Sequence, residues 1–357
     1  MQRRDFIFTS AAFSAMTAGA FLSGASQART PQRPLAFDAM GELRTNYEPA
    51  LIRRMQQSGI DAITVTLCDP KSYEGEAFVE ALKAVREHDA FIAAHPQLLV
   101  KATKTDHIDI ARRNGQIAVF YLFQNSTQFG RDLNNVDKFY QLGVRSAQLT
   151  YNDQNWAGSG CKELGANGLT LFGRDLIDRM NQCGMLLDLS HVNMQTMGEA
   201  IRHSAKPVII SHTALSSVHT NTRNTSDENL RLLAQRGGVV GICQIRPFLT
   251  QLRDGALEDY FRHIDHAVNI CGSDHVGIGS DRDHRVVEMD EAYIAELKAE
   301  EGSNFNESEW PLFINELNGP HRMEILWDGL RKRGYPAGTA EKIMGTNVRR
   351  IYQEVIG

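Results

Sequence analysis

The sequence has little of what would place it in several large classes of protein. Its five cysteines, Cys68, Cys161, Cys183, Cys243 and Cys271, include no CxxC spacing, which argues against a zinc-finger framework and a dithiol redox motif. Their odd number leaves at least one thiol outside any disulfide. No GxGxxG loop follows an early apolar run, as an open dinucleotide-binding sheet would show; Gly277-Ile278-Gly279 is the nearest approach. The 38 Lys and Arg against 43 Asp and Glu give a formal charge of −5 with no basic cluster, which argues against a nucleic-acid partner. Beyond the N-terminal stretch, no segment is apolar for long enough to span a bilayer. No internal repeat or low-complexity tract is visible. A 42% hydrophobic and 23% charged composition also excludes a disordered or fibrous chain.

The N-terminus is distinctive. Arg3-Arg4 precedes an apolar stretch from Phe6 to Leu22 rich in Ala, Ser, Thr and Gly, the pattern of a Tat-type export signal. Ser26 and Ala28 supply small residues for cleavage, so residues 1–28 are expected to be a signal and 29–357 one domain, exported to the periplasm or beyond. The alternative is a membrane anchor, for which the stretch holds too many Ser, Thr and Gly. Loss of Arg3, Arg4 and Asp5 would bring the charge to about −6. Tat export carries folded chains, which suits a protein that acquires a metal or cofactor first.

Eight short apolar runs recur along the remainder: Leu35–Met40, Ile60–Leu67, Ile117–Phe123, Val144–Thr150, Met185–Ser190, Pro207–Ser211, Val239–Cys243 and His275–Ser280. Segments of helical periodicity fill the gaps, including Tyr47–Gly59, Phe172–Gly184, Thr196–Ser204, Asp227–Arg236 and Asp259–Cys271. Fully apolar strands alternating with helices predict an α/β fold with a parallel sheet, and eight such units predict a closed (β/α)8 TIM barrel. The acidic stretch Arg285–Pro320 reads as an irregular insertion or lid.

A barrel of this kind presents its chemistry at the C-terminal ends of its strands. There the sequence has Met40-Gly41-Glu42, Gln124-Asn125, Tyr151-Asn152, His191, His212, Gln244 with Arg246, and Asp281. His191 and His212 each follow a serine, and neutral imidazole is the commonest protein ligand for zinc. Either could instead be an ordinary hydrogen-bonded histidine, and Asp281 an ordinary helix cap.

The stretches Gly184–Val192, Lys206–His212, Arg223-Asn224, Arg236–Gly241 and Asp274–Asp281 resemble the membrane (renal-type) dipeptidases, the M19 metallopeptidases. Gly143-Val144-Arg145, Leu149-Thr150 and Gly345-Thr346-Asn347 extend the resemblance to about residues 35–355. It implies a (β/α)8 barrel with a binuclear zinc site that hydrolyses dipeptides. Carried onto this sequence, it places His191 and His212 on one zinc, Asp281 as the group that handles the proton, and Arg223 on the substrate carboxylate. It also implies pairing into a homodimer.

The sequence departs from that family where the metals sit. The family's first strand ends His-x-Asp, against Met40-Gly41-Glu42 here; its bridging Glu is Gln124, and its substrate-contacting His is Tyr151. A thioether is a poor zinc ligand, and a neutral amide lacks the charge that holds two cations together. The expectation is one zinc on His191, His212 and Gln124, with Glu42 in reach of a cation, and a second site that is weak or absent. Two functions follow: a metal-dependent hydrolase of a dipeptide or small amide, or a nonhydrolytic relative that binds a small ligand.

Overall fold

The computed structural model describes residues 33–163, 165, 167–301, 306 and 309–357. The export signal expected over residues 1–28 lies outside the described residues, among which no helix is long and apolar enough to cross a membrane.

Nine parallel strands form one sheet: β1 (Ala36–Gly41), β2 (Ile60–Thr66), β3 (Leu99–Lys101), β4 (Ile117–Phe123), β5 (Val144–Gln148), β6 (Leu186–Asp188), β7 (Ile209–Thr213), β8 (Val239–Ile242) and β9 (Val276–Ile278). Pairing of β2 with both β1 and β4 closes it into an eight-stranded barrel. The eight apolar runs are the eight barrel strands. The ninth, β3, pairs only with the first half of β4, whose second half pairs β5. At three residues it was too short to stand out as an apolar run.

Helices return the chain between strands, and polar side chains start three of those nearest the site. Thr170 accepts from Gly173 N, Asn193 from Thr196 N and Ser226 from Asn229 N, satisfying backbone donors that the first turn leaves free. The C-terminal helix Asn347–Ile356 closes the bottom of the barrel, where Tyr352 packs on Phe37 and Phe120 with ring centroids 5.1 and 5.0 Å away. All three rings are buried, each contributing about 1.5–3 kcal/mol by leaving water. This plug leaves the opposite, C-terminal mouth for the site.

Two glycines shape that mouth. A Cβ on Gly241 would lie 2.0 Å from the Ser211 carbonyl oxygen, and one on Gly279 only 1.7 Å away. Neither space admits a side chain, so β8 and β9 hold the backbone of Ser211 and His212 in place.

The region 285–320 is more ordered than its irregular sequence predicts: it contains a helix, Glu291–Glu301, and a short 3-10 turn, Asn315–Leu317. Arg246, just beyond β8 and fully buried, pins the insertion over the mouth. Its Nε donates to Pro311 O at 2.8 Å, its backbone N to Leu312 O at 2.8 Å, and its Nη2 to Glu309 O.

Candidate active site

A cavity of about 310 Å³ opens at the C-terminal ends of the strands, lined by Tyr151, Lys162, His191, Arg223, Asp281 and the insertion residue Trp310, among others. Of the residues singled out from sequence, Tyr151, His191, Arg223 and Asp281 therefore share one chamber, and His212 lies directly behind His191.

Two of them carry unusual backbone. His191 has φ of 67° and Asp281 φ of 53°, and among the described residues no other non-glycine residue has positive φ. That conformation costs of order 1 kcal/mol or more for an L side chain and persists only where the surroundings enforce it. At Asp281 the backbone N is tied to Met40 O at 2.9 Å, which turns the carboxyl into the cavity.

The two imidazoles converge, with Nε2 of His191 2.9 Å from Nε2 of His212. Nδ1 of His191 lies 2.7 Å from Oδ1 of Asn152, an oxygen that only accepts, so the ring proton sits on Nδ1 and the Nε2 lone pair faces His212. The Tyr151 ring stacks on His191 at 4.2 Å between centroids. Burial first, then the Arg223 guanidinium, holds both histidines well below the ordinary imidazole range, so each is neutral at pH 7. Burial acts oppositely on Asp281, pushing its carboxyl up to about 7 against the pull of Arg223, with Glu42 adding to the rise.

Arg223 is itself buried, its Nη2 donating to His212 O at 3.4 Å and its guanidinium 5.3 Å from the Phe248 ring centroid. The exposed Lys162 adds a second positive charge to the cavity wall.

The donors that could hold a cation here are the two imidazoles. Two neutral imidazole nitrogens meet at one point, as ligands of one cation would, although a catalytic zinc takes a third protein ligand beside such a pair. For a second there is little: Met40 is buried as a thioether, Gln124 is a buried neutral amide just beyond β4, and Glu42 accepts from Arg44 Nε at 2.7 Å. Among the described residues, no group of three or more His, Cys, Asp or Glu side chains could hold a metal ion. All five cysteines are free thiols.

Several residues that position the site were given no role from sequence. Asn152 orients His191, while Asp188, Ser190 and Ser211 form a buried network beneath His212. The repeated Ser-His pair at residues 190–191 and 211–212 was the available signal.

Comparison with known proteins gives a consistent result. A family model described as membrane dipeptidase (peptidase family M19) matches residues 35–292. Dipeptidase tcpJ of Claviceps purpurea is 30% identical over 258 residues, covering 71% of this chain and 55% of that protein. An uncharacterized dipeptidase, C965.12, of Schizosaccharomyces pombe is 35% identical over 184 residues, covering 50% and 44%. The chain thus spans about half the length of the curated relatives it matches. Among solved structures, an amidohydrolase from Pseudomonas aeruginosa superposes with a TM-score of 0.80 at 29% identity, over 91% of this chain and 97% of that one. A metallo peptidase from Rhodobacter sphaeroides, liganded with a phosphinate mimic of L-Ala-D-Ala, shares the fold at a TM-score of 0.76 and 19% identity, over 90% and 100%. Since the matched span of residues 35–292 takes in every strand of the barrel and each residue that meets in its mouth except the insertion's, the chain belongs to the membrane dipeptidase family, peptidase family M19.

Proposed function

We propose that this chain is a hydrolase of dipeptides or similarly small amides, working in the mouth of the barrel with one metal ion, zinc, held by His191 and His212. The observation that carries this reading is the strained pair His191 and Asp281, both held at positive φ on the wall of one cavity that also contains Arg223. Strain of this kind collects where geometry serves function. Family membership points to a metal cofactor, and the converging imidazoles accommodate one.

When bound, the cation would supply positive charge to polarise the scissile amide and make water more acidic. The chain's own residues supply the rest. Arg223, aided by Lys162, binds the substrate carboxylate in charge-assisted hydrogen bonds and fixes the amide against the His191 side of the cavity. Asp281, with a proton affinity set near neutrality, takes the proton from the attacking water and returns one to the leaving amine. The Tyr151 hydroxyl donates to the carbonyl oxygen as charge grows there, in place of an imidazole. Arg246 holds the insertion, with Trp310 and Leu312, against the cavity and excludes bulk water. Arg3-Arg4 supports export by the Tat route to the periplasm as part of the same reading.

A second reading, a nonhydrolytic relative that binds a small carboxylate, is favoured by the pairing of Glu42 with Arg44 and by the neutral Gln124. A dipeptide-library hydrolysis screen, with and without added Zn²⁺, separates the two. Turnover that depends on zinc and disappears in Asp281→Asn supports the hydrolase. Calorimetric binding of dipeptides without turnover under any metal supports the second.

A further inference from the structure

Beneath His212 lies a chain of hydrogen bonds in which the proton of the Ser211 hydroxyl can be placed. Asp188, at the end of β6, is fully buried. Its Oδ1 accepts from Ser190 N at 3.0 Å, Ser190 Oγ at 2.9 Å and Ser211 N at 3.0 Å. Its Oδ2 accepts from Ser211 Oγ at 2.5 Å and Gln148 Nε2 at 3.0 Å. A serine hydroxyl has one proton to donate, and the short contact commits that of Ser211 to the carboxylate. Oγ of Ser211 also lies 2.8 Å from Nδ1 of His212, and having no second proton it can only accept there. His212 must therefore carry its proton on Nδ1, which leaves a lone pair on Nε2.

We propose that Asp188, acting through the Ser211 hydroxyl, is a positioning residue that locks His212 as the Nδ1–H tautomer and so presets a two-nitrogen cation site. The same inference holds on the other side, where Asn152 Oδ1 fixes His191. The consequence is a deliberate mismatch. Two imidazoles 2.9 Å apart would relieve each other by one N–H···N bond if either could switch tautomer. Held as they are, two lone pairs lie against each other and are relieved by a positive ion that both nitrogens ligate. Gly241 and Gly279, which admit the Ser211 carbonyl where any side chain would collide, keep Ser211 from backing away. This inference rests on the proposed cation at His191 and His212, and it adds what sets their readiness to bind one.

The test compares wild-type protein with Ser211→Ala, Ser211→Thr and Asp188→Asn. Asp188→Asn keeps the volume but reverses the direction of the relay. The new amide N–H donates to Ser211 Oγ, which then donates its own proton to His212 Nδ1 and moves the ring proton to Nε2. Gln148, whose buried Oε1 has no hydrogen-bond partner among the described residues, can rotate to accept the second new N–H. Nitrogen-15 imidazole shifts of metal-free protein read the tautomer directly, and competition with a chromophoric chelator reads zinc affinity. Wild type and Ser211→Thr should show Nδ1–H on His212; Asp188→Asn should show Nε2–H. Zinc affinity should fall roughly 10- to 100-fold in Asp188→Asn and Ser211→Ala and be kept in Ser211→Thr.

Nε2–H on His212 in the wild type overturns the proposal even if no variant folds. Nδ1–H and unchanged zinc affinity in a folded Asp188→Asn overturn it while leaving the cation site intact. A wild type that shows the expected tautomers but binds no zinc upholds the relay and removes the cation reading instead.

Discussion

Replacing Asp281 with Asn tests the most unusual group in the cavity. Asparagine is nearly the same size and adopts positive φ more readily than most residues, so the 53° backbone should survive. What changes is the charge. With its carboxyl pushed up to about 7 from an ordinary value of 3.8, Asp281 binds its proton more tightly in the folded than in the unfolded chain. It therefore costs nothing below pH 4, costs progressively more as pH rises from 4 to 7, and stays at its full cost above that. A difference of about three in pKa corresponds to about 4 kcal/mol for a carboxyl sealed from water, and the partial opening of Asp281 on the cavity reduces this to about 2 kcal/mol. At roughly 2.1 cal/mol/K per residue, the unfolding entropy of the domain expected over residues 29–357 is about 0.7 kcal/mol/K. Asp281→Asn in chelator-treated protein should thus melt about 3 °C higher than wild type at pH 8 and about 1 °C higher at pH 5. Hydrolysis should be lost at both. Scanning calorimetry across pH gives the answer. An Asn variant that melts lower than wild type at pH 8 would mean that Asp281 is held ionised by a partner, and the argument for a base near neutrality would fail.

Three further outcomes are expected. Combining Met40→His, Glu42→Asp and Gln124→Glu restores the family's ligand types and should raise bound zinc from one to about two per chain, with at least roughly tenfold faster dipeptide hydrolysis. Each change alone should do little, because bridge and ligands act together; a folded triple variant with no added metal would refute the placement of Met40 and Gln124 at a lost site. Arg223→Lys should raise KM for dipeptides about 10- to 100-fold with a smaller change in kcat, through loss of charge-assisted hydrogen bonds, whereas an unchanged KM would remove Arg223 from substrate binding. Changing Arg3 and Arg4 together to lysine should leave a precursor in the cytoplasm, and undisturbed export from a Tat-deficient host would refute the route.

The barrel was legible because its strands are buried on both faces and so stand out as unbroken apolar runs, such as Ile117–Phe123. Strand β3 was not, since three residues pairing with half of β4 leave no periodicity to read. The helix Glu291–Glu301 was hidden by an acidic composition without an apolar stripe. His191, His212, Tyr151 and Asp281 could be picked out at strand ends, since the fold itself dictates where such residues face, whereas Arg223, in the loop after β7, was picked out through the family resemblance. Their support could not. Whether Ser211 gives or takes a proton depends on a 2.5 Å contact to Asp188, a residue 23 positions away, and no spacing rule encodes that. Arg246 showed the same limit: it reads as one more polar strand end, yet its Nε and Nη2 donate to carbonyls of the insertion more than 60 positions further on.

The count of zinc ions per chain bears most directly on the claim that this mouth holds one cation where the family resemblance implies two. Untagged protein loaded with Zn²⁺, dialysed, and analysed by plasma mass spectrometry should carry one zinc per chain. His191→Ala and His212→Ala should each carry far less, because each removes one of the two converging nitrogens. Two zinc ions in the wild type, or one that persists unchanged in both variants, would contradict the account.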